Sequence, residues 1–454
     1  MQTSKLNTKQ YIILASLLFG LFFGAGNLIF PIFLGQASSS SWLPASAGFL
    51  ISAIVLPLLS ILAISYTESN SLYDLGKPVG HYFALIFLAI VHLSLGVLIA
   101  SPRTATVTFS MGIQPFFPHV NSHIALFIFS IIFFGLAYGL AFNQTKITEY
   151  VGKILNPIFV IILFFVFILA FFIKGDLAHI NLLPTAGNSS SMMINGFLQG
   201  YNTMDAVAGL GFGVTIIAAL KQFGLTDKLE RSKAVAKVGT LTMGFEALIY
   251  IFLIALGATS LSYLKPAPDG GTAFTQIMAH YTGLAGAGIL AALTFLACIT
   301  TEIGLITSLS QDWGKRFPKL GYHFFLTIAT IGSFIIANFG LEQIILYSSP
   351  LLNFIYPIAI AIILLGLLNK WIGKNKIIYR TTVILTLIPA ILDFIHNLPP
   401  LFAKLPMIKA INDWAMNTIP LYSQGLDFIP FLATGLILGL IIAQFSSIKA
   451  PEES

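Results

Sequence analysis

Gly24, Gly26 and Asn27 stand in the middle of an apolar run from Tyr11 to Leu34, within the stretch GLFFGAGNLIFP (Gly20–Pro31). Each glycine costs a helix interior about 1 kcal/mol against alanine, and Pro31 favours a kink. What such residues can do is bind. A helix interrupted in hydrocarbon frees N–H and C=O groups, each costly unless something pairs with it. Freed N–H groups at a half-helix start favour a carboxylate, and freed carbonyls favour a cation. The plainer reading is close helix packing, for which Gly20 and Gly24 have the four-residue spacing. Asn27, able to hydrogen-bond freed backbone, tips the balance toward an interruption.

A second segment has the same character. GFLQGYNTMDAVAGLGFG (Gly196–Gly213) carries Gly200, Asn202, Asp205, Gly209, Gly211 and Gly213, a composition that suits a continuous helix poorly. Asp205 can cap the broken helix, hydrogen-bond a ligand or attract an ion. A third stretch, TFLACITTEIGL (Thr294–Leu305), sets Ala297, Thr300 and Thr301 at i, i+3 and i+4 on one helical face. Two hydroxyls and a carbonyl are hard oxygen donors suited to a small hard cation. Threonines in membrane helices also bond back to their own helix or join neighbouring helices.

The elements that must position these residues are membrane spans. The 454 residues are 57% hydrophobic and 9% charged, against about 25% charged in soluble domains. Apolar blocks of spanning length recur, approximately at 11–36, 43–66, 81–104, 122–142, 150–173, 194–219, 235–260, 284–311, 322–339, 342–368, 378–396 and 425–446. The result is an all-α polytopic membrane protein of about twelve transmembrane helices. The first block is too long for a cleavable signal and is expected to remain as a span. Cys298, the single cysteine, excludes an intrachain disulfide and a multi-cysteine metal site.

With the N-terminus in the cytoplasm, 18 of the 23 Lys and Arg residues fall on the cytoplasmic side, as the positive-inside rule requires. The five others are Arg103, Lys174, Lys265, Lys404 and Lys409, with Arg103 read as the end of the third span. The net charge of +6 is thereby a topological device and calls for no nucleic acid. Both termini are expected inside. The largest loops, 175–193 and 397–424, lie outside.

The two interrupted spans are the first and the sixth. An odd offset of five places repeat units in opposite orientations, and corresponding interrupted segments in two halves point to an inverted-repeat transporter and its binding site. The expected units are 11–173 and 194–368, with 378–446 forming two peripheral helices.

LFFGAGNLIFP in the first span closely resembles the opening signature of the branched-chain amino acid:cation symporter family, the BrnQ-type system II carriers. YNTMDAVAGLGFG and ACITTEIGL fit the same family. The resemblance covers essentially the whole chain. It implies a LeuT-type fold of ten core helices in two inverted repeats plus peripheral ones, in the bacterial cytoplasmic membrane. It also implies uptake of leucine, isoleucine and valine, typically driven by Na+, with a proton-coupled or different-solute symporter on the same fold as the alternative. By that resemblance the ion lies between the carbonyls of Gly20 and Phe23 and the donors Ala297, Thr300 and Thr301. The N–H groups of Ala25, Gly26 and Asn27 hold the substrate carboxylate. The Phe22 carbonyl and carbonyls near Ala206 and Val207 hold its ammonium, with Asp205 and Gly209 at the second break. A second sodium site would use Asn27, but its sixth-span threonine ligand falls at Val207. Phe22, Phe23 and Phe212 are placed to line an apolar side-chain pocket. The lipid bilayer and a small amino acid are the expected partners, with no organic cofactor and no obligate protein partner.

Ionisable residues inside spans are functional candidates. Glu246 has no evident partner in sequence. Glu302 either faces the cavity, where it can carry a proton, or pairs with a base such as Arg316. His92 either faces the substrate or packs. A channel would need a filter sequence or charged ring, and none is visible. A membrane enzyme would need a motif such as H-E-x-x-H or G-x-S-x-G, and neither occurs.

Overall fold

Backbone pairing within each segment is obligatory in lipid, and the apolar blocks fold accordingly into helices. The computed structural model describes residues 6–67, 69, 71–117, 119–143, 146–173, 188–225, 227–283 and 285–448. Lys5, Lys174 and Lys449 of the orientation argument fall outside them.

The first span is two helices, α1 (Thr8–Phe22) and α2 (Ala25–Ser38), bent by 70°. Then follow α3 (Trp42–Tyr66), α4 (Leu72–Gly76), α5 (His81–Phe116), α6 (Ser122–Ala141) and α7 (Tyr150–Ile173). The sixth span is α8 (Ser189–Gly200) and α9 (Asp205–Gln222). The rest are α10 (Lys228–Ser260), α11 (Gly270–Thr282), α12 (Ala285–Arg316), α13 (Gly321–Ala337), α14 (Leu341–Leu367), α15 (Lys376–His396), α16 (Pro406–Thr418) and α17 (Phe428–Ile448).

Among the described residues nine helices are long and apolar enough to cross a bilayer, or up to 11 if each bent pair counts as one span. The expected ninth span is α13, which at 17 residues stands at the short end of spanning length. The expected outer loop 397–424 is not irregular. It contains α16, which buries Ile408 and Ala415 and exposes Met407 and Trp414. Such two-faced helices suit a membrane surface.

Small residues set how the broken spans are held. A Cβ on Gly35 would meet the Ile254 carbonyl, and one on Gly257 the Ile32 carbonyl, so α2 and α10 touch backbone to backbone. Gln36 adds a 2.9 Å bond to Ser260 across the same seam. In the same way Gly48 abuts Met193, and Gly196 abuts Ala45, joining α3 to α8. Side chains such as Ile131, Ile161 and Ile437 cover the outside, where lipid takes the place of a core.

Candidate functional site

The first interruption is two residues long. Phe23 (φ −75°, ψ 94°) and Gly24 (φ −126°, ψ −151°) leave the helical region between α1 and α2. The Gly24 N–H donates to the Asn27 Oδ1 at 3.1 Å rather than to a helix carbonyl. The first N–H groups of α2, at Ala25, Gly26 and Asn27, have no partner in its own ladder. Pro31 has no N–H for the Asn27 carbonyl, so that group is freed as well. Glycine is needed here for access. A Cβ on Gly24 would lie 2.8 Å from Thr301 Oγ1, and one on Gly26 2.8 Å from an Arg103 terminal nitrogen and 3.1 Å from the Asn202 carbonyl oxygen.

The second interruption is a 3-10 turn, Tyr201–Thr203, followed by Met204 in the left-handed region (φ 66°, ψ 7°). A methionine rarely holds that conformation, and such strain gathers at functional sites. Asp205 is the first residue of α9. Its Oδ2 accepts from the Asn27 amide at 2.7 Å and from the Tyr250 hydroxyl at 2.8 Å. The Asn27 amide also contacts Tyr250, and it donates to Glu246 Oε1 at 3.2 Å, while Tyr250 donates to the same oxygen at 2.9 Å. Asn27, Asp205, Glu246 and Tyr250 are all buried, at 2%, 1%, 0% and 0% exposure. Glu246 thus has the partners the sequence did not reveal, though its Oε2 has none.

The two breaks face one cavity. Its walls include Phe22, Gly24, Ala25, Gly26 and Asn27 from the first break, Thr203, Met204, Asp205, Ala208 and Phe212 from the second, and Thr301 and Leu305 from α12. Ala100, Arg103 and Thr104 of α5 complete it. Those three share one helical face by their i, i+3 and i+4 spacing, and α5 is irregular just before them. A wide π turn at Ser94–Leu98 and a non-helical Ile99 (φ −127°, ψ −71°) precede Pro102, which has no N–H for the Leu98 carbonyl. Arg103, expected at the end of the third span, instead lies within it at 3% exposure. Phe22 and Phe212 meet edge to face at 5.2 Å. The open space is contracted to ≈ 20 Å³, room for a water or two. A second, wider cavity of ≈ 660 Å³, walled by α8, α14, α15 and the Tyr422 turn, reaches Gln199, Tyr201 and Asn202 on the far side of the turn.

Other expected residues fall elsewhere. Ala206 and Val207 lie in the first turn of α9, where their carbonyls are committed to the helix. The interruption is at Tyr201–Met204, so the expected carbonyl ligands Ala206 and Val207 lie two and three residues past it. Gly209 serves packing, for its Cβ would collide with Ser60 of α3. The Phe23 side chain is outside the cavity, against Phe159 (5.4 Å) and Tyr250 (5.9 Å). Glu302 neither pairs with Arg316 nor lines the cavity; it accepts from Ser101 at 2.8 Å and Thr104 at 3.1 Å. His92 is held by Asp312 at 3.1 Å, away from the cavity.

Four of the five expected ion donors come together in two pairs. Thr301 Oγ1 donates to the Gly20 carbonyl at 3.1 Å, bridging α12 and α1. Gly20 is free to accept because the Gly24 N–H is turned to Asn27. The Thr300 hydroxyl bonds back to Leu296 at 3.0 Å and Ala297 at 2.9 Å. The set is one of neutral hard oxygens, compatible with a small cation.

A family model for the branched-chain amino acid transport protein matches residues 7–446. The chain belongs to this family. The branched-chain amino acid permease BrnQ of Lactobacillus delbrueckii subsp. lactis is 38% identical over 94% of this chain and 95% of the permease. The permease BraB of Bacillus subtilis (strain 168) is 39% identical, covering 97% of each. Relatives of the family are named as permeases, and the enzyme reading is set aside. Among solved structures, MhsT in complex with L-phenylalanine aligns over 97% of this chain and 99% of its own (TM-score 0.57, 13% identity). Mhp1, a nucleobase-cation-symport-1 family transporter, aligns over 92% of this chain and 96% of its own (TM-score 0.54, 15% identity). At that identity the likeness concerns the fold, which is of the LeuT type.

Proposed function

We propose that this chain is a secondary transporter importing leucine, isoleucine and valine by sodium symport through alternating access. The observation that carries the reading is the single cavity onto which both interrupted helices open, walled by freed N–H groups, one acidic and one basic side chain, and the Phe22–Phe212 pair. Membership of the family supports the substrate class. A zwitterion needs both signs of charge, and a branched aliphatic side chain needs an apolar wall without stranded polar groups.

Na+ would be held by the carbonyls of Gly20, Phe23 and Ala297 and the hydroxyls of Thr300 and Thr301. Its binding ties α1 to α12 and orders the first break. Substrate arrives from the wider cavity beside Asn202 and enters between the breaks as the contracted space opens. Closure of the outer path and opening of the inner one follow. The protein would lie in the bacterial cytoplasmic membrane with both termini inside.

Proton coupling is the second reading. The unpartnered Oε2 of Glu246, beside Asp205, favours it. Uptake of radiolabelled leucine into proteoliposomes, with sodium and pH gradients imposed separately, decides. Accumulation driven by sodium alone is expected. Accumulation under a pH gradient alone would move the coupling to the carboxyl pair. Competition by unlabelled leucine, isoleucine and valine tests the substrate class, and failure of all three to compete would reject it.

A further inference from the structure

The cavity is walled by one basic and one acidic side chain that form no direct ion pair. Arg103 and Asp205 both line it, yet no ion pair within 4.0 Å joins Arg103 to a carboxylate among the described residues. Arg103 is 3% exposed, and its Nε has no hydrogen-bond partner. Its nearest soft contact is the face of Phe30, 5.3 Å from Cζ. One of its terminal nitrogens hangs over Gly26, where even a methyl group would press on it at 2.8 Å. A buried guanidinium with no carboxylate in contact is strongly disfavoured. Its presence on the wall of a binding cavity makes sense if the anion is the ligand's.

Asp205 is fixed from behind. Asn27 and Tyr250 both grip its Oδ2, which holds the carboxylate in place on the wall of the cavity that Arg103 also lines. An α-amino acid carries a carboxylate and an ammonium on one carbon, and so presents the complementary pair. We infer that Arg103 is the carboxylate anchor of the transported amino acid and that Asp205 receives its ammonium. The planar guanidinium offers two parallel N–H bonds to a carboxylate. The N–H groups of Ala25 and Gly26 are left to share the remaining lone pairs of the same carboxylate. This assignment rests on the reading of the cavity as an amino acid site. It replaces the carbonyls of Ala206 and Val207 as ammonium ligands.

The test compares leucine with leucinamide, which keeps the side chain and the amine but has no carboxylate. Both compete against radiolabelled leucine on the purified full chain, at a pH where the amide's amine is protonated. The unaltered protein is expected to prefer leucine strongly. Arg103→Gln is expected to lower leucine affinity about 30-fold or more while changing leucinamide affinity less than about 3-fold. Arg103→Lys, a point charge in place of a fork, should fall between. Asp205→Asn should weaken leucine and leucinamide together and reduce the preference for leucine over 4-methylpentanoate, which has no amine. Thermal unfolding of each variant separates a lost site from a lost fold, and if Arg103→Gln does not fold the same ratio is read from Arg103→Lys. Equal losses of leucine and leucinamide on changing Arg103, or no loss of either, would overturn the inference while leaving leucine transport standing. Failure of the unaltered protein to bind leucine would instead overturn the transport reading.

Discussion

Asn27 and Asp205 are joined by a 2.7 Å hydrogen bond that ties the two interrupted spans together. The same asparagine accepts the Gly24 N–H at 3.1 Å. One side chain therefore caps the first break and orients the acid at the second.

Asn27→Ala strands the Gly24 N–H and removes a donor from Asp205, each a loss of about 1–3 kcal/mol for a buried group. The variant should unfold at lower temperature in detergent and take up little leucine. Unchanged stability would show that the amide is not a structural tie.

Thr301 and Thr300 should differ in their effect on sodium dependence. Thr301 Oγ1 already reaches across to the Gly20 carbonyl, whereas the Thr300 hydroxyl is turned onto its own helix. Thr301→Val should abolish sodium stimulation of uptake, and Thr300→Val should weaken it less. The double variant should behave as Thr301→Val. Sodium stimulation that survives both changes would place the ion elsewhere.

Gly26→Ala pushes a methyl group to 2.8 Å from Arg103 and 3.1 Å from the Asn202 carbonyl oxygen. Overpacking of this kind costs about 1–3 kcal/mol, so leucine affinity should fall about 5- to 150-fold. Gly139→Ala serves as the control, since a Cβ there meets nothing within 4 Å. Saturation curves for both variants give the comparison, and equal affinities would refute the close approach.

Phe212→Ala removes one wall of the apolar pocket and its 5.2 Å edge contact with Phe22. Discrimination among side chains in such a pocket is worth about 1–3 kcal/mol. L-Phenylalanine should then compete more strongly for leucine uptake by the variant than by the unaltered protein. Unchanged selectivity would move the side-chain pocket away from this ring.

Both interruptions were legible because glycine, asparagine and aspartate are costly in an apolar helix and declare themselves by composition. The position of the second was not. The expected carbonyl ligands fell at Ala206 and Val207, whereas the chain turns just before Asp205, at Tyr201–Met204, through a 3-10 segment and a left-handed methionine. Gly200, Asn202 and Asp205 flank or enter that turn, but nothing in their types fixes its exact bounds. Arg103 was hidden because the apolar block ends near residue 104 while the helix runs on to Phe116, so what reads as a span end lies inside the span. The Asn27–Asp205–Glu246–Tyr250 cluster is purely tertiary. Only the i, i+4 spacing of Glu246 and Tyr250 on α10 hinted at part of it.

The glycine seams have a consequence for how the molecule can rearrange. With carbonyls of one helix seated where side chains of the other would be, α2 is expected to move together with α10, and α8 with α3. Each half-helix then travels as a rigid couple with its neighbour. Spectroscopic labels at the ends of one couple should keep a constant separation throughout turnover, and only labels placed on different couples should report the stroke.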